Sequence, residues 1–274
     1  MLKNTPKQEN IRRVRALIGD ENIHTVCEEA KCPNIGECFS QKICTFMILG
    51  DVCTRHCAFC GVTHGQPAPP DPEEPSRVVK SVEKLGLNYV VITSVTRDDL
   101  PDGGASHFAK IIEELRTLNS ELRTEILIPD FQGSEESLKI VLDARPYVLN
   151  HNIETVPRLY STVRPQANYE RSLQLLRSAK ALKAQVYTKS GFMVGLGETK
   201  EEVAAVLSDL KAAGCDIVTI GQYLPPSKAH LRPARFVTPA EFEAYKKLGE
   251  DLGCRKVESG PFVRSSYHAG ELIK

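Results

Sequence analysis

From about Thr45 onward, short apolar runs alternate strictly with longer amphipathic ones, and that alternation constrains the fold more than any other feature. Strands are expected at Thr45–Leu49, Tyr89–Thr93, Thr124–Ile128, Val148–Ile153, Val186–Val194 and Ile217–Gln222. Helices are expected at Ser76–Leu85, Gly104–Asn119, Ser134–Ala144, Asn168–Leu182, Lys200–Ala213 and Thr238–Leu252. Thr199 followed by Glu201 and Glu202 suits a helix start, and Gly214 suits the far end. Such strand–helix pairs imply a parallel sheet with right-handed crossovers. Six units are too few for the usual eight-unit closed barrel. The expected fold class is therefore α/β, a curved partial (β/α)6 barrel. A chain of 274 residues is long enough for one such domain with a sizeable core.

The first strand runs straight into Cys53-Thr-Arg-His-Cys57-Ala-Phe-Cys60, a C-x-x-x-C-x-x-C run. In parallel α/β folds ligands gather at the carboxyl ends of strands, which is where this loop falls. Three thiolates on a cubane iron–sulfur cluster leave one iron without a protein ligand, and an open iron can hold a small molecule by its amine and carboxylate. Electron-transfer ferredoxin runs supply four cysteines, and structural zinc sites close four ligands. A second triplet lies upstream, Cys27-Glu-Glu-Ala-Lys-Cys32-Pro-Asn-Ile-Gly-Glu-Cys38, and it suggests a second cluster, again one ligand short. Nine cysteines, six of them in two triplets, read as a metal pattern in a reducing compartment rather than a disulfide framework.

The spacing at Cys53 resembles the radical SAM superfamily, in which the open iron chelates S-adenosylmethionine. Thr25-Val-Cys27 through Cys38, Phe46-Met-Ile-Leu-Gly-Asp51 leading into Cys53, and Arg264-Ser-Ser-Tyr267 together resemble the lipoyl synthase family over nearly the whole chain. The resemblance implies two 4Fe–4S clusters: Cys53, Cys57 and Cys60 hold the one that cleaves S-adenosylmethionine, and Cys27, Cys32 and Cys38 with a serine hold an auxiliary one. Ser266 takes the serine role, with Ser265 as the alternative. It implies that a 5′-deoxyadenosyl radical abstracts hydrogen from an octanoyl chain on a lysine of a lipoyl carrier domain, that two sulfurs are inserted, and that the auxiliary cluster is the sulfur source. A methylene has no pKa accessible to acid–base chemistry near neutrality, which is why a radical is needed. A serine alkoxide matches soft iron less well than thiolate and is released more readily.

The implied division of the chain is an extension at 1–44 carrying auxiliary ligands, a radical SAM partial barrel at 45–252, and a C-terminal segment at 253–274 closing onto the auxiliary cluster. Implied partners are octanoylated carrier domains (the acyltransferase subunit of 2-oxoacid dehydrogenases and the glycine cleavage carrier protein), an electron donor such as ferredoxin or flavodoxin, and a cluster repair protein. An eight-carbon chain would contribute roughly 5 kcal/mol of apolar burial at 0.8 per methylene, which demands an apolar slot.

Cosubstrate contacts are expected at the strand ends. Thr93 and Ser94 offer hydroxyls after the second strand, followed by Asp98-Asp-Leu-Pro-Asp-Gly-Gly104, which reads either as a turn or as a loop near the methionyl end. Asn152 and Glu154 could bind ribose hydroxyls or cap a turn. Arg164 and Lys189 could anchor carboxylates, Arg164 having the alternative of a surface ion pair. Gly195, in Gly191-Phe-Met-Val-Gly195-Leu-Gly197, offers a backbone wall or a tight turn, and Gln222 offers an adenine-side contact or a structural one. Cys44, Cys215 and Cys254 read as core residues, although Cys44 departs from the family's usual small residue. His56 reads as a solvent-facing spacer.

Lys+Arg and Asp+Glu both number 35, so the balance excludes a general nucleic-acid binder. Lys3, Lys7, Arg12, Arg13 and Arg15 read as a solvated helix face or as a dock for an acidic carrier. No apolar stretch reaches membrane-spanning length, and the first ten residues carry no signal or transit pattern, so a cytoplasmic enzyme is expected. The rivals are another radical SAM sulfur transferase of the methylthiotransferase or biotin-synthase kind, and, in a different class, an iron–sulfur electron carrier or zinc-stabilised module.

Overall fold

The structure, a computed structural model, describes residues 12, 15, 16, 23–29, 32, 34–40 and 45–273. The expectations for Lys3, Lys7, Arg13 and Cys44 lie outside the described residues. Strands β1 (His24–Thr25) and β2 (Thr45–Ile48) flank two short helices, α1 (Val26–Glu29) and α2 (Ile35–Ser40). A two-stranded ribbon, β3 (Val52–Cys53) with β4 (Thr63–His64), brackets the Cys53 loop. Then follow α3 (Glu74–Leu85), β5 (Tyr89–Ser94), α4 (Ala105–Leu118), β6 (Arg123–Leu127), α5 (Glu135–Asp143), β7 (Val148–Asn150), α6 (Tyr160–Val163), α7 (Tyr169–Leu182), β8 (Tyr187–Val194), α8 (Lys200–Ala212), β9 (Ile217–Gln222), α9 (Pro239–Asp251) and β10 (Lys256–Gly260).

Helix boundaries follow local chemistry. Thr199 and Glu202 form a reciprocal capping box at α8, and Thr238 and Glu241 form another at α9, where Pro239 fills the first turn. Ser134 accepts from Ser137 N at α5, and Asn168 accepts from Arg171 N at α7. Gly86 ends α3 in the left-handed region, φ 63°, where a side chain would be strained.

The main sheet runs β1-β2-β5-β6-β7-β8-β9-β10. All neighbours are parallel except β1, which pairs antiparallel to β2. All residues of β2 and β9 are buried, as expected of parallel strands covered on both faces. Helices cover the outer face in two core clusters, one around Phe46, Ile92, Phe108 and Ile126, the other around Phe192, Leu207, Phe242 and Val257. Successive strand residues point to opposite faces, so Val148 and Ile217, which alternate with outer-face Leu149 and Val218, face inward. There they pack with Ile273 and against Tyr147 and Tyr187, closing the amino-terminal end of the sheet.

The partial barrel stands, with corrections. Lys256–Gly260 lies in the stretch read as a separate segment beginning at 253, yet it forms a seventh parallel strand against Ile217–Gly221. Backbone pairing and one buried side chain, Val257, make that strand. The strand expected to reach Ile153 stops at Asn150. Glu154 takes a left-handed conformation, φ 62°, and rejoins the sheet through an isolated bridge to Phe192. Among the described residues no helix is long and apolar enough to cross a membrane.

Candidate active site and the two cysteine centres

The Cys53 loop leaves the sheet at Leu49-Gly50, both with positive φ (67° and 85°). Leu49 N is held by Glu74 Oε2 at 2.8 Å, and Leu49 O accepts from the buried Arg97. Inside the triplet, Arg55 is buried and forks onto Asp98 at 2.6 and 2.8 Å while also reaching Asp130 at 2.6 Å. Asp130 accepts from Arg171 as well. Burial by itself pushes the Asp130 carboxyl up, but the Arg55 guanidinium overcomes this and holds it at about 2. Thr54 Oγ1 donates to Thr96 O and accepts from Asp98 N. At the far end of the loop, His230 Nε2 donates to Cys60 O at 3.0 Å, oriented by Ser227.

Of the expected cosubstrate residues, Asn152, Glu154 and Arg164 come together with the triplet. Arg164 donates to Asn152 O at 2.8 Å, and Asn152 Nδ2 donates to Glu154 Oε1 at 3.1 Å. Ala58 N donates to Val163 O, which seats the triplet beside Arg164. Burial pushes the Cys57 thiol up to about 12, with Arg164 opposing and Cys60 and Glu154 reinforcing. Burial likewise pushes Cys60 up to about 11 and raises the Glu154 carboxyl above its ordinary value. Near neutral pH these two thiols therefore hold their protons, which any metal they bound would have to displace.

Three buried polar atoms here have no partner: Ser94 Oγ, Asn152 Oδ1 and Arg164 Nε. Others are unpaired away from the site, such as Arg77 Nε and Tyr245 OH. Ser94 ends β5 and Asn152 follows β7, while Arg164 ends α6, and each is a group a polar ligand would satisfy. They fit a zwitterionic nucleoside cosubstrate. Thr93, by contrast, spends its hydroxyl on Leu127 O at 2.9 Å.

Lys189 is not at this cluster. It is an inner-face residue whose Nζ lies 2.8 Å from Glu125 Oε1, so the anchor expected there is already paired within the sheet. Gly195 and Gln222 form one structural unit. Gln222 Nε2 donates to Arg235 O, Gln222 Oε1 accepts from Val237 N, and a side chain at Gly195 (φ 94°) would run into the Gln222 amide. Glu198 clamps that turn through Gly195 N and Leu196 N. The Asp98–Gly104 loop is a turn tied down by its own acids: Asp98 on Arg55, Asp99 on Arg97, Asp102 on Gly104 N and Ser106 N. His56 is exposed and stacks on His64 at 4.2 Å. Cys215 and Cys254 are buried core residues.

The upstream triplet is knit by backbone bonds, Cys32 N to Cys27 O and Cys38 N to Asn34 O. Burial raises Cys27 to about 12, reinforced by the Cys32 and Cys38 charges. The C-terminal segment lies on it: Asn34 Nδ2 donates to Phe262 O at 2.7 Å, and Tyr267 OH donates to Glu37 Oε1 at 2.8 Å. The half-buried Arg264 guanidinium is close enough to Cys32 for their charges to interact. Ser265 and Ser266 fall between these two anchors. The two triplets also adjoin: a Cβ on Gly61, next to Cys60, would come within 3.3 Å of Glu29 O, two residues after Cys27. Among the described residues no three cysteine, histidine, aspartate or glutamate side chains gather closely enough for a single metal ion. A cubane does not require that closeness, since each thiolate takes a different iron.

Comparison with known proteins decides the family. Residues 47–210 match the Radical SAM superfamily. The chain is 56% identical over 261 residues to a lipoyl synthase of Caldanaerobacter subterraneus, covering 95% of this chain and 92% of that one. It is 55% identical to a lipoyl synthase of Caldicellulosiruptor saccharolyticus, covering 97% and 93%. The chain belongs to the lipoyl synthase family. Among solved structures, methylornithine synthase superposes with a TM-score of 0.56 at 15% identity, covering 94% of this chain and 80% of that one. That likeness shows the shared fold. In this lipoyl synthase family member the sequence singled out the two cysteine triplets, and it did not single out Arg55, Asp130, Glu198 or His230, which the structure places around the Cys53 loop and its neighbouring turn. Of these only Arg55 carried a signal, as a charge enclosed by a cysteine triplet.

Proposed function

We infer that the chain catalyses the reaction for which its family is named, the insertion of two sulfur atoms into an octanoyl chain carried on a lysine of a lipoyl carrier domain. The observation that carries this reading is the junction of the two cysteine triplets at Gly61 and Glu29, with the Phe262–Tyr267 segment fastened over the second. Two 4Fe–4S clusters and S-adenosylmethionine supply, when bound, the electron, the hydrogen-abstracting radical and the sulfur.

The chain's own residues hold and orient these parts. Cys53, Cys57 and Cys60 ligate one cluster; Cys27, Cys32 and Cys38 with Ser266 (or Ser265) ligate the other. Arg164 and Ser94 meet the methionyl end of the cosubstrate, and Asn152 and Glu154 its ribose. Arg55 fixes the first ligand loop against Asp98 and Asp130, and Gly195 and Gln222 shape the wall beside it. Residues 1–44 form the auxiliary extension, the barrel runs from 45 through β10, and the C-terminal residues strap the extension down. The clusters are reduced by a ferredoxin or flavodoxin and rebuilt by a repair protein, in the cytoplasm, without nucleic acid or membrane. A basic beginning serves carrier docking; in the structure Arg15 is bonded to Glu28 at 2.7 Å, and Arg12 is exposed.

Anaerobic incubation of cluster-loaded protein with S-adenosylmethionine, dithionite and an octanoyl-lysine peptide tests the reading. A peptide mass gain corresponding to two sulfurs is expected. Cosubstrate cleavage without sulfur gain would keep the superfamily and overturn the substrate. Ser266→Ala is expected to lose about half of the iron while Ser265→Ala retains it; the reverse would exchange the two roles.

A further inference from the structure

The connection that follows β9 carries a basic rim at the carboxyl end of the sheet. Residues 223–237 hold Lys228, His230, Arg232 and Arg235 and no acid, in a chain whose formal net charge is +0. Arg235 pairs with Glu241 at 2.9 Å. Lys228 and Arg232 are exposed and make no ion pair among the described residues. Phe236 is 70% exposed, far more than Leu118 or Leu252, the other exposed large apolar side chains among the described residues. The connection is firmly seated. His230 N donates to Ser227 O and Ala229 N to Ser227 Oγ, both at 3.2 Å, which closes a turn. His230 Nε2 then bonds Cys60 O at 3.0 Å, and Pro226 lies 3.0 Å from where a Cβ on Gly61 would stand. Gly61 is also the point at which the two triplets adjoin. At the other end of the connection Ala234 N donates to Gly195 O and Val237 N to Gln222 Oε1, both at 2.8 Å.

Packing does not account for these three side chains. None of them is buried, and neither cation has a carboxylate beside it. We propose that Lys228, Arg232 and Phe236 are the docking rim for the protein part of the substrate, an acidic face of the lipoyl carrier domain around its octanoyl-lysine. The proposal rests on the acyl-substrate reading above and deepens it. Reach fixes the place. An extended octanoyl-lysine arm spans roughly 16 Å from the lysine Cα to the terminal methyl, so the body of the carrier must sit within about that distance of the reacting centre. Lys228 and Arg232 are each two residues from His230, hence within about 8 Å of it from Cα to Cα, and His230 touches the Cys60 carbonyl. The rim therefore lies inside the arm's radius. In the basic beginning, by contrast, Arg15 is already bonded to Glu28. Exposed charges of one sign steer an oppositely charged partner and mainly raise its encounter rate. An aromatic side chain held between fixed neighbours adds contact area at small entropic cost. An electron donor needs to approach only the Cys53 triplet, whereas a rim seated against the junction of both triplets suits a substrate whose chain must reach between them.

The test sets a whole carrier domain against a short peptide. Dissociation constants of an octanoylated glycine cleavage carrier protein and of an octanoyl-lysine peptide are measured by calorimetry, at low and at high salt. The protein is cluster-loaded, with S-adenosylmethionine and no reductant, so that nothing turns over. In Lys228→Glu/Arg232→Glu the carrier should bind about tenfold more weakly at low salt, with most of that loss gone at high salt, and peptide affinity should be unchanged. Lys228→Arg/Arg232→Lys should bind the carrier as wild type does. Phe236→Ser should weaken carrier binding at both salt concentrations. Arg116→Glu/Arg145→Glu makes the same change in net charge at the end of α4 and ahead of β7, on the amino-terminal side of the sheet, and should leave both ligands unaffected. Equal losses on carrier and peptide, an unchanged carrier affinity, or an equal loss in the Arg116/Arg145 variant would overturn the rim. So would slower reduction by flavodoxin with carrier affinity unchanged, which would give the rim to the electron donor. Absence of binding by both ligands in wild type would overturn the acyl-substrate reading, and the rim with it.

Discussion

Replacing Arg55 with methionine should destabilise the whole barrel, although the residue sits in a loop between two cysteines of the Cys53 triplet. Its guanidinium is 4% exposed and bridges Asp98 and Asp130, whose side chains are 28% and 0% exposed. Removing one partner of a buried ion pair costs about 3–5 kcal/mol, because the other charge stays buried. Asp130 would keep Arg171 at 3.2 Å and Gln132 N at 3.0 Å, which argues for the low end, about 3 kcal/mol. The half-exposed Asp98 adds little. For a domain of this size that lowers Tm by roughly 6–12 °C. Removing both charges in Arg55→Met/Asp130→Leu should recover part of the loss, giving a coupling of about 2 kcal/mol in a double-mutant cycle. The acid limb should move as well. Asp130 is held at about 2, below its ordinary 3.8, so it stabilises the fold above pH 3.8 and that stability is lost as pH falls through 2. Without Arg55 the carboxyl rises and acid unfolding starts at higher pH. Thermal melts by circular dichroism across pH 2–7 measure both effects. Strictly additive variants, or an Arg55→Met melt within 2 °C of wild type, would refute the argument that this pair fastens the loop to the fold.

Gly195→Ala should lower stability by about 1–3 kcal/mol, since φ is 94° and the new methyl would meet Arg235 O at 2.6 Å and the Gln222 amide; the melting temperature reads this directly. His151 is buried, with Nδ1 bonded to Ile128 O and Nε2 facing Ser172 Oγ, and burial, aided by Arg164, lowers its pKa to about 4. Its neutral form therefore contributes stability that is complete above pH 6.5 and lost as pH falls toward 4, about 3 kcal/mol in all. His151→Gln should flatten the stability slope between those values, and an unchanged slope would exclude His151 as its source. Glu154→Gln should weaken S-adenosylmethionine binding about tenfold by loss of a charge-assisted hydrogen bond; calorimetry that finds wild-type affinity would remove Glu154 from the site.

Much of the barrel was legible because parallel strands buried on both faces read as continuous apolar runs. Ile217–Gln222 stands as expected, and the α8 start was visible in Thr199 and its acids. β10 was hidden because Lys-Val-Glu-Ser-Gly has a single apolar side chain and becomes a strand only through its neighbour. β1, β3 and β4 are two residues each, too short for any periodicity. The cysteine triplets announced themselves by local spacing. The Arg55–Asp130 pair could not, since its members are 75 residues apart and meet only after the sheet assembles. Lys189 misled for the same reason: a lysine in mid-strand carries no mark of the glutamate 64 residues earlier that neutralises it.

The central claim is that two adjoining cysteine triplets each hold an iron cubane and that only the Cys53 set responds to the cosubstrate. Iron and sulfide analysis with electron paramagnetic resonance, on anaerobically loaded protein with and without S-adenosylmethionine, tests it most directly. The account predicts about eight irons per chain and a reduced-cluster signal altered by S-adenosylmethionine. In Cys53→Ala/Cys57→Ala/Cys60→Ala about four irons remain and the response disappears. Stoichiometric zinc, or a response to S-adenosylmethionine that survives in the triple variant, would contradict it.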